Sequence, residues 1–418
     1  MPNPLHFDSH RCLPDYKTGN FAHLPGLLQS LLGHSVETPL SPQVFGFRPG
    51  QFKNVIFLFL DAFGWNTYSY FLNRRNRVIS KLASKGQVRK LTSQFPSTTA
   101  AHVTTFNTGQ PVARHGVLEW QYYEPVVDDV IIPLLFCYAG EKKRDRLREE
   151  GYDPFDMLPH HTIYQDLQQS GVPTYAFIPA EYVGTGYDDV QTAGSELIPY
   201  YTLADAFSTL KRKIGQVDVP ALYYFYTPLI DALAHKYGPF SHQSLAELDA
   251  TFMLMDHFLF HGLRGRDDTL VIISADHGQI ATDPSTAFFI NLQPEFKALE
   301  PMLRRNRQER VLPPGGGPRD AFLYVKDAHL AQAHELLQTM LAGRADVFRT
   351  EALIRQGLFG PEPPSRQFMS RVGNLLILPR HDNVVWWYEK GRFEVRHHGM
   401  HGGLSCDEME IPLIVYQP

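Results

Sequence analysis

Cysteine is scarce in this sequence, with three residues among 418, namely Cys12, Cys137 and Cys406. No pair has the C-x-x-C spacing of redox and zinc motifs, and an odd number leaves one thiol unpaired in any disulfide scheme. A disulfide framework and a cysteine-based metal cluster are therefore not expected. We expect the three thiols to behave as small apolar residues of the interior.

Positive charge is also limited, because 39 lysines and arginines face 44 aspartates and glutamates and give a formal net charge of -5. A protein that binds long nucleic acid needs a basic surface to replace the counterions of the phosphate backbone. Long nucleic acid is therefore not an expected partner.

Long apolar segments are absent as well. The run VIFLFL at residues 55–60 is far shorter than the ~20 apolar residues that cross a bilayer as a helix. The first twenty residues lack the basic, apolar and small-residue order of a secretory signal. We expect a cytoplasmic protein with no membrane span, and the sequence indicates no particular oligomeric state.

Short apolar runs of strand length, however, recur along the chain, as in NVIFLFLDAFG, PTYAFIPAEY, ALYYFYTPLID and DTLVIISADHG. Helical patterns separate them, and this alternation predicts an α/β protein with three layers, in which helices cover both faces of a largely parallel central sheet. Residues 1–50 are rich in proline, glycine and histidine and are predicted to form an irregular arm. Residues 51–418 are predicted to form one domain, with a smaller α/β subdomain at about 281–385.

Acidic residues follow three of these apolar runs, where the carboxyl ends of parallel strands place a ligand site. Histidines accompany them, one of them a helical turn after its acid. The candidate ligands are Asp61, Asp231, His235, Asp276, His277 and His401. A single acid can cap a turn and a single histidine can be structural, but three converging carboxylates repel one another unless cations lie between them. Imidazole and carboxylate ligands without thiolates suit zinc, with manganese or iron as alternatives.

The stretch FPSTTAAHVTTFNTG at residues 95–109 carries six hydroxyl side chains and no formal charge. Ser97, Thr98 and Thr99 are all suitable caps for a helix that begins at Ala100. A helix start also offers N–H groups and a positive dipole end to an anionic substrate. A threonine hydroxyl is a poor nucleophile by itself, so catalysis here would need a base or a metal ion.

Five motifs in a fixed order resemble the alkaline phosphatase superfamily, in its type I phosphodiesterase and nucleotide pyrophosphatase branch. They are LFLDAFG, FPSTTAAHVTTFNTG followed by RHGV, DALAHKYGP, SADHG and HGMHGGLSCDEMEIPLIV. The resemblance covers about residues 54–416 and implies an alkaline phosphatase-like fold. It implies a metal-dependent hydrolase of phosphodiester or phosphoanhydride bonds, acting on nucleotide-like or other small phosphorylated substrates.

The resemblance also implies two divalent metal ions. Asp61, Thr99, Asp276 and His277 would surround one ion, and Asp231, His235 and His401 would surround the other. An ungapped alignment of FP and TG places the nucleophile on Thr99, which would form a phosphothreonine intermediate. Counting back from His102 selects Thr98 instead.

The same alignment puts His102 where nucleotide-cleaving members keep an asparagine that holds a phosphate oxygen. We therefore expect His102 to bind substrate, with a purely structural role as the alternative. Arg319 and His398 receive no predicted role. Two other functions fit the motifs: a phosphomonoesterase of the same superfamily, and a binding protein that keeps the metals without turnover.

Overall fold

The computed structural model describes residue 7 and residues 10–418, and strands and helices alternate along most of this part of the chain. The strands are β1 Asn54–Leu60, β2 Gln87–Thr92, β3 Tyr122–Glu124, β4 Asp129–Ile132, β5 Cys137–Tyr138, β6 Thr174–Pro179, β7 Glu196–Tyr200, β8 Ala221–Thr227, β9 Thr269–Ser274, β10 Ile280–Ala281, β11 Phe288–Phe289, β12 Ala321–Leu323, β13 Ala345–Arg349, β14 Leu375–Pro379, β15 Val385–Trp386, β16 Gly399–Met400 and β17 Glu410–Tyr416.

The α-helices are α1 Leu24–Leu31, α2 Trp65–Asn73, α3 Arg77–Lys85, α4 Thr99–Thr108, α5 Val112–His115, α6 Arg146–Glu149, α7 Pro154–Met157, α8 Ile163–Gln169, α9 Gly186–Gln191, α10 Leu203–Ile214, α11 Leu229–Tyr237, α12 His242–Leu254, α13 Phe296–Leu299, α14 Leu330–Met340, α15 Thr350–Arg355, α16 Arg366–Arg371 and α17 Cys406–Met409. Among the helices of the described residues, none combines the length and the apolar character needed to span a lipid bilayer.

A seven-stranded sheet forms the centre of the molecule, in the order β2-β17-β9-β1-β8-β6-β7. Strand β1 is parallel to β8 and β9, and β6 is parallel to β7 and β8. Every residue of β1, β8 and β9 is buried, as strands covered by helices on both faces require. The predicted α/β fold with a largely parallel sheet is confirmed, and β17 joins this sheet as an antiparallel strand.

The register of the sheet brings the predicted acids to one edge. Leu60 at the end of β1 lies opposite Thr227 at the end of β8, and Phe59 lies opposite Ser274 at the end of β9. The three strands therefore stop at nearly the same level. Asp61 follows β1 directly, Asp276 follows β9 after one residue, and Asp231 lies in the first turn of α11.

A second, antiparallel sheet of the order β12-β14-β13 lies in the stretch where a smaller α/β subdomain is predicted. Helix α14 packs on this sheet, and a separate cluster of buried residues, which includes Leu323, Leu337 and Ile377, forms its core. These elements agree with an α/β unit in this stretch, and the exact subdomain bounds stay a prediction.

Part of the predicted N-terminal arm is helical. Residues 1–6, 8 and 9 lie outside the described residues, but α1 contributes Leu24, Leu27, Leu28 and Leu31 to the main core. These leucines have the i, i+3, i+4, i+7 spacing of an amphipathic helix, and Pro25 occupies the first turn, where proline is tolerated. The prediction of an irregular segment was wrong here, because the surrounding prolines and glycines outweighed this short periodic pattern.

A buried ion pair connects α16 to the last residue of β3. The guanidinium of Arg371, which is 1% exposed, donates to Glu124 Oε2 from Nε at 2.9 Å and from Nη2 at 2.5 Å. It also donates from Nη1 to the carbonyl of Gly116 at 3.0 Å. Removal of one partner of such a pair leaves an uncompensated buried charge.

We expect Arg371→Met to lower the free energy of unfolding by about 3–5 kcal/mol, because Glu124 would stay buried without its cation. Urea denaturation followed by circular dichroism measures the loss. Arg355→Met is the matched control, since Arg355 is exposed and pairs with Glu351 at the surface, where an ion pair contributes about 0–1 kcal/mol. Equal, small losses in both variants would contradict the prediction.

Candidate metal centre

One group of ligand atoms is formed by Asp61, Asp276 and His277, whose nearest ligand atoms all lie within 4.8 Å of one another. The backbone N–H groups of Ala62 and His277 donate to Asp276 Oδ1 at 3.1 and 2.9 Å. The other oxygen, Asp276 Oδ2, lies 3.2 Å from His277 Nε2 and is a buried atom for which the described residues offer no hydrogen-bond partner. A buried carboxylate oxygen in this state requires a compensating charge.

A second group, Asp231, His235 and His401, lies beside the first. His235 follows Asp231 by one turn of α11, and its Nε2 lies 3.3 Å from Asp231 Oδ1. His401 Nε2 lies 3.2 Å from His235 Nε2 and 3.8 Å from Asp231 Oδ1. Asp231 and His235 lie one turn apart in α11, and His401 lies in the turn after β16. Their three ligand atoms therefore point to the same place.

Backbone carbonyls fix the tautomer of the three histidines. Nδ1 of His235 lies 2.7 Å from the carbonyl of Gly399, Nδ1 of His277 lies 3.0 Å from that of Gly278, and Nδ1 of His401 lies 2.9 Å from that of Ser97. A carbonyl only accepts, so each neutral ring carries its proton on Nδ1 and directs the Nε2 lone pair into the centre. Lone pairs that face one another at 3.2 Å repel unless a cation or a proton lies between them.

The two groups share a boundary at His277. Its ring stacks on His401 with ring centroids 3.7 Å apart and planes inclined by 12°. Asp231, His277 and His401 also form a group with ligand atoms within 4.8 Å of one another. All six predicted carboxylate and imidazole ligands thus meet at one edge of the sheet. We call these six residues and Thr99 the metal centre. The division of ligands between two ions stays a prediction.

Burial shapes the electrostatics of the metal centre. Burial raises the pKa of Asp61, and the neighbouring carboxylates of Asp276 and Asp231 raise it further. Burial also raises the pKa of Asp231 to about 7. It lowers the pKa of His235 to about 4. Without cations, the centre therefore disfavours every charged side chain that it contains.

Thr99 is the first residue of α4, with Thr98 as its N-cap. Its Oγ1 lies 3.3 Å from His277 Nε2 and 3.4 Å from both carboxylate oxygens of Asp61. Thr98 is 2% exposed, and its hydroxyl bonds to the side chain of Glu119. The geometry favours Thr99 over Thr98 as the hydroxyl that faces the metal centre.

His102, the predicted substrate ligand, is completely buried. Its Nε2 accepts from the backbone N–H of Gln94 at 3.0 Å, and its Nδ1 donates to the carbonyl of Thr98 at 2.7 Å. Both ring nitrogens are therefore occupied by the backbone. This arrangement favours the structural alternative for His102, because no ring nitrogen is left for a phosphate oxygen.

Arg319 and His398, the two residues without a predicted role, are not members of these ligand groups. The guanidinium of Arg319 donates to both carboxylate oxygens of Glu408 at 3.1 and 3.0 Å in a buried pair. His398 is exposed. A Pro/Gly-rich sequence surrounds Arg319, and it gave no sign that the side chain is buried.

Sequence reasoning missed two side chains that support the ligands. The hydroxyl of Tyr226 donates to Asp61 Oδ2 at 2.6 Å, and the side-chain amide of Gln279 donates to Asp231 Oδ1. Tyr226 lies within the apolar run of β8 and resembles a core residue there. The only signal was its position one residue before the end of the strand, at the level of the acids.

The cysteines also differ from expectation. Cys12 and Cys406 lie close together, and with Glu410 they place ligand atoms within 4.8 Å of one another. Cys137 is buried elsewhere. The residues that meet are 394 positions apart, so no local spacing could indicate this group.

Comparison with known proteins identifies the family. The family model described as type I phosphodiesterase / nucleotide pyrophosphatase matches residues 55–404. This match covers most of the chain, and the chain belongs to that family of phosphoester-hydrolysing enzymes. No curated protein matches the sequence significantly.

Solved structures share the fold. Murine ectonucleotide pyrophosphatase / phosphodiesterase 5 superposes with a TM-score of 0.63 at 14% identity, covering 87% of this chain and 88% of the other. An inactive variant of the murine protein, in complex with AMP, gives a TM-score of 0.63 at 14% identity over 87% of each chain. Phosphonoacetate hydrolase from Sinorhizobium meliloti 1021, in complex with phosphonoacetate, gives 0.61 at 17% identity over 88% of this chain and 90% of the other. The alkaline phosphatase-like fold predicted from the motifs is thereby confirmed.

Metal binding should release protons below neutral pH. Since burial raises the pKa of Asp231 to about 7, this carboxyl holds a proton at pH 6 in the metal-free protein. The imidazoles hold none on Nε2, because burial lowers their pKa values. We expect the apparent affinity for Zn²⁺ to weaken below pH 7 by about tenfold per pH unit for each proton displaced. Calorimetric titrations at pH 6 and 8.5, in buffers of different ionisation enthalpy, count these protons, and zinc binding without release at pH 6 would contradict the prediction.

Proposed function

We propose that this member of the type I phosphodiesterase / nucleotide pyrophosphatase family uses two divalent metal ions and the Thr99 hydroxyl to hydrolyse phosphodiester or phosphoanhydride bonds. The observation that carries the proposal is the position of Thr99 Oγ1, at 3.3 Å from His277 Nε2 and 3.4 Å from Asp61. A hydroxyl at the start of a helix, in contact with two candidate metal ligands, has the surroundings that a threonine nucleophile needs. The substrates would be nucleotide-like or other small phosphorylated compounds.

The residues of the metal centre fit divalent cations. Asp276 Oδ2 is buried without a partner, and the Nε2 lone pairs of His235 and His401 face one another. We assign Asp61, Thr99, Asp276 and His277 to one ion and Asp231, His235 and His401 to the other, with Zn²⁺ as the best match to this nitrogen and oxygen donor set and Mn²⁺ or iron as alternatives. When bound, such ions neutralise the carboxylates, lower the pKa of a coordinated hydroxyl and polarise phosphoryl oxygens.

The reaction that we infer has two steps. Thr99 Oγ1 attacks the phosphorus atom, and the bond from phosphorus to the departing alcohol or phosphate breaks. Water then hydrolyses the phosphothreonine and restores the hydroxyl. The first N–H groups of α4 have no partner within the helix, so they are available to a phosphate oxygen bound at this helix start.

The fold relatives support a small phosphorylated substrate. The murine relative has been solved with AMP, and the bacterial relative with phosphonoacetate. Both ligands carry a phosphoryl or phosphonyl group on a small organic body. A cytoplasmic location stays a prediction of the sequence.

Alanine substitutions should distinguish the roles of Thr99 and Thr98 in turnover. We expect Thr99→Ala to lower kcat by about 10³-fold or more, the scale of loss when a nucleophile is removed. Thr98→Ala should keep substantial activity, because its hydroxyl faces Glu119. Steady-state rates measure both effects, and zinc content by atomic absorption confirms that each variant still binds metal. Loss of turnover in Thr98→Ala alone would transfer the nucleophile to Thr98.

Two chromogenic substrates distinguish the candidate functions. We expect hydrolysis of bis(p-nitrophenyl) phosphate to exceed that of p-nitrophenyl phosphate, to be lost on chelation and to return with Zn²⁺. Preference for the monoester would indicate a phosphomonoesterase. Metal binding without hydrolysis of either ester would indicate a binding protein.

A further inference from the structure

A fourth strand of the sheet also delivers a side chain to the edge that carries the metal centre. Strand β6 is parallel to β8, and Tyr182 follows its last residue by three positions. The ring of Tyr182 lies 6.5 Å from the ring of Tyr226 between centroids, and the hydroxyl of Tyr226 donates to Asp61. Tyr182 therefore lies on the rim of the metal centre, at the carboxyl ends of parallel strands where α/β proteins bind ligands.

An arginine covers this tyrosine. The guanidinium of Arg144 lies 5.2 Å from the centre of the Tyr182 ring, a distance at which a cation and an aromatic face attract each other. Arg144 is partly buried and forms no salt bridge within the described part of the chain. Its neighbour Arg148, by contrast, pairs with Asp189 at 2.6 Å and with Asp145 at 3.7 Å.

Charges of both signs act on the hydroxyl of Tyr182: the guanidinium of Arg144 and the nearby carboxylates. Burial raises the pKa of Tyr182 to about 12, and the carboxylates of Glu181, Asp61 and Asp231 add to the rise. Arg144 acts in the opposite direction on the same hydroxyl. Tyr182 thus lies within electrostatic reach of both Arg144 and the acids of the metal centre, and Arg144 contacts its ring.

A diester substrate carries its one negative charge at the reacting phosphorus, where the metal centre and α4 lie. A positive side chain beyond Tyr182 is not placed to bind that charge. It is suited instead to a second anionic group of the same substrate. Guanidinium has a rigid fork of donors that matches phosphate oxygens. The aromatic contact orients the fork before the substrate arrives, which lowers the entropy cost of binding.

We propose that Arg144, held over Tyr182, binds a second phosphate group of the substrate, so that phosphoanhydrides are preferred to diesters that carry a single phosphate. This inference rests on the proposed function, because it assigns the substrate class of the same site. It gives the loop at residues 139–145 a specificity role that no motif indicated.

The test compares a substrate with additional phosphates and one without. We expect Arg144→Gln to lower kcat/KM for ATP by about tenfold or more, equal to about 1.4 kcal/mol. Most of the effect should appear in KM, since the contact exists before and during the reaction. The kcat/KM for bis(p-nitrophenyl) phosphate should change by less than about twofold, because this substrate loses no charge-assisted hydrogen bond.

Two further variants complete the comparison. Arg144→Lys should keep part of the ATP preference, because the charge stays while the fork is lost. Arg148→Gln is the matched control on the same segment, and it should leave both substrates unaffected. Equal loss on both substrates in Arg144→Gln, or no loss on either, would overturn the proposal.

A binding measurement separates this inference from the proposed function. Calorimetry on zinc-loaded Thr99→Ala should show tighter binding of pyrophosphate than of orthophosphate, and the difference should disappear when Arg144→Gln is added. Should the wild type hydrolyse neither ester, the proposed function fails, and the pyrophosphate preference still decides the role of Arg144. Retention of that preference in the double variant overturns the role of Arg144 even if diesters are hydrolysed.

Discussion

The repulsion among buried carboxylates and imidazole lone pairs at one sheet edge is the constraint on which the rest of this structure depends. Protonation alone does not relieve it well. A proton on Asp276 would be shared with His277 Nε2, 3.2 Å away, or with the Asp61 carboxyl, and it would leave the lone pairs of His235 and His401 facing one another. Divalent cations, as proposed, would satisfy the carboxylates and the lone pairs together, and burial would strengthen this charge compensation. The arrangement would then cost stability without ions and gain it with them.

Hydrogen bonds to the backbone couple the loops of the candidate metal ligands to the segment of the proposed nucleophile. His401 donates from Nδ1 to the carbonyl of Ser97, and the Ser97 hydroxyl donates to the carbonyl of Gly403 at 2.9 Å. The N–H of Gly402 in turn donates to the Ser97 hydroxyl at 3.1 Å. A loop near the C-terminus and the start of α4 are thus fixed to each other. A displacement of either segment would move both a metal ligand and the Thr99 hydroxyl.

The sequence predicts the parts of this protein that depend on local pattern. The buried strands and the acids that follow them are readable because a continuous apolar run and its end are features of neighbouring residues. The helix at Leu24–Leu31 has such a pattern, but eight residues between turn-forming residues carry little weight. The role of His102 depends on the direction of a side chain within α4, and the contact of Cys12 with Cys406 depends on the whole topology. Neither property is encoded in spacing.

Specificity must arise outside the elements that the family shares. Relatives named as a nucleotide pyrophosphatase / phosphodiesterase and as a phosphonoacetate hydrolase have this fold at 14% and 17% identity, so the fold does not select the substrate. A metal centre that binds one phosphoryl group treats all such substrates alike. Discrimination between substrates then depends on the loops that surround the remaining part of the substrate at the same edge of the sheet. In this chain, the loop after β6 presents an aromatic ring there, and the segment before α6 places on it a guanidinium that forms no salt bridge within the described residues. Under the proposed function, such a charge would attract an anion without contributing to the metal ligands, so it would change the preferred substrate while the chemistry proposed for Thr99 stays the same.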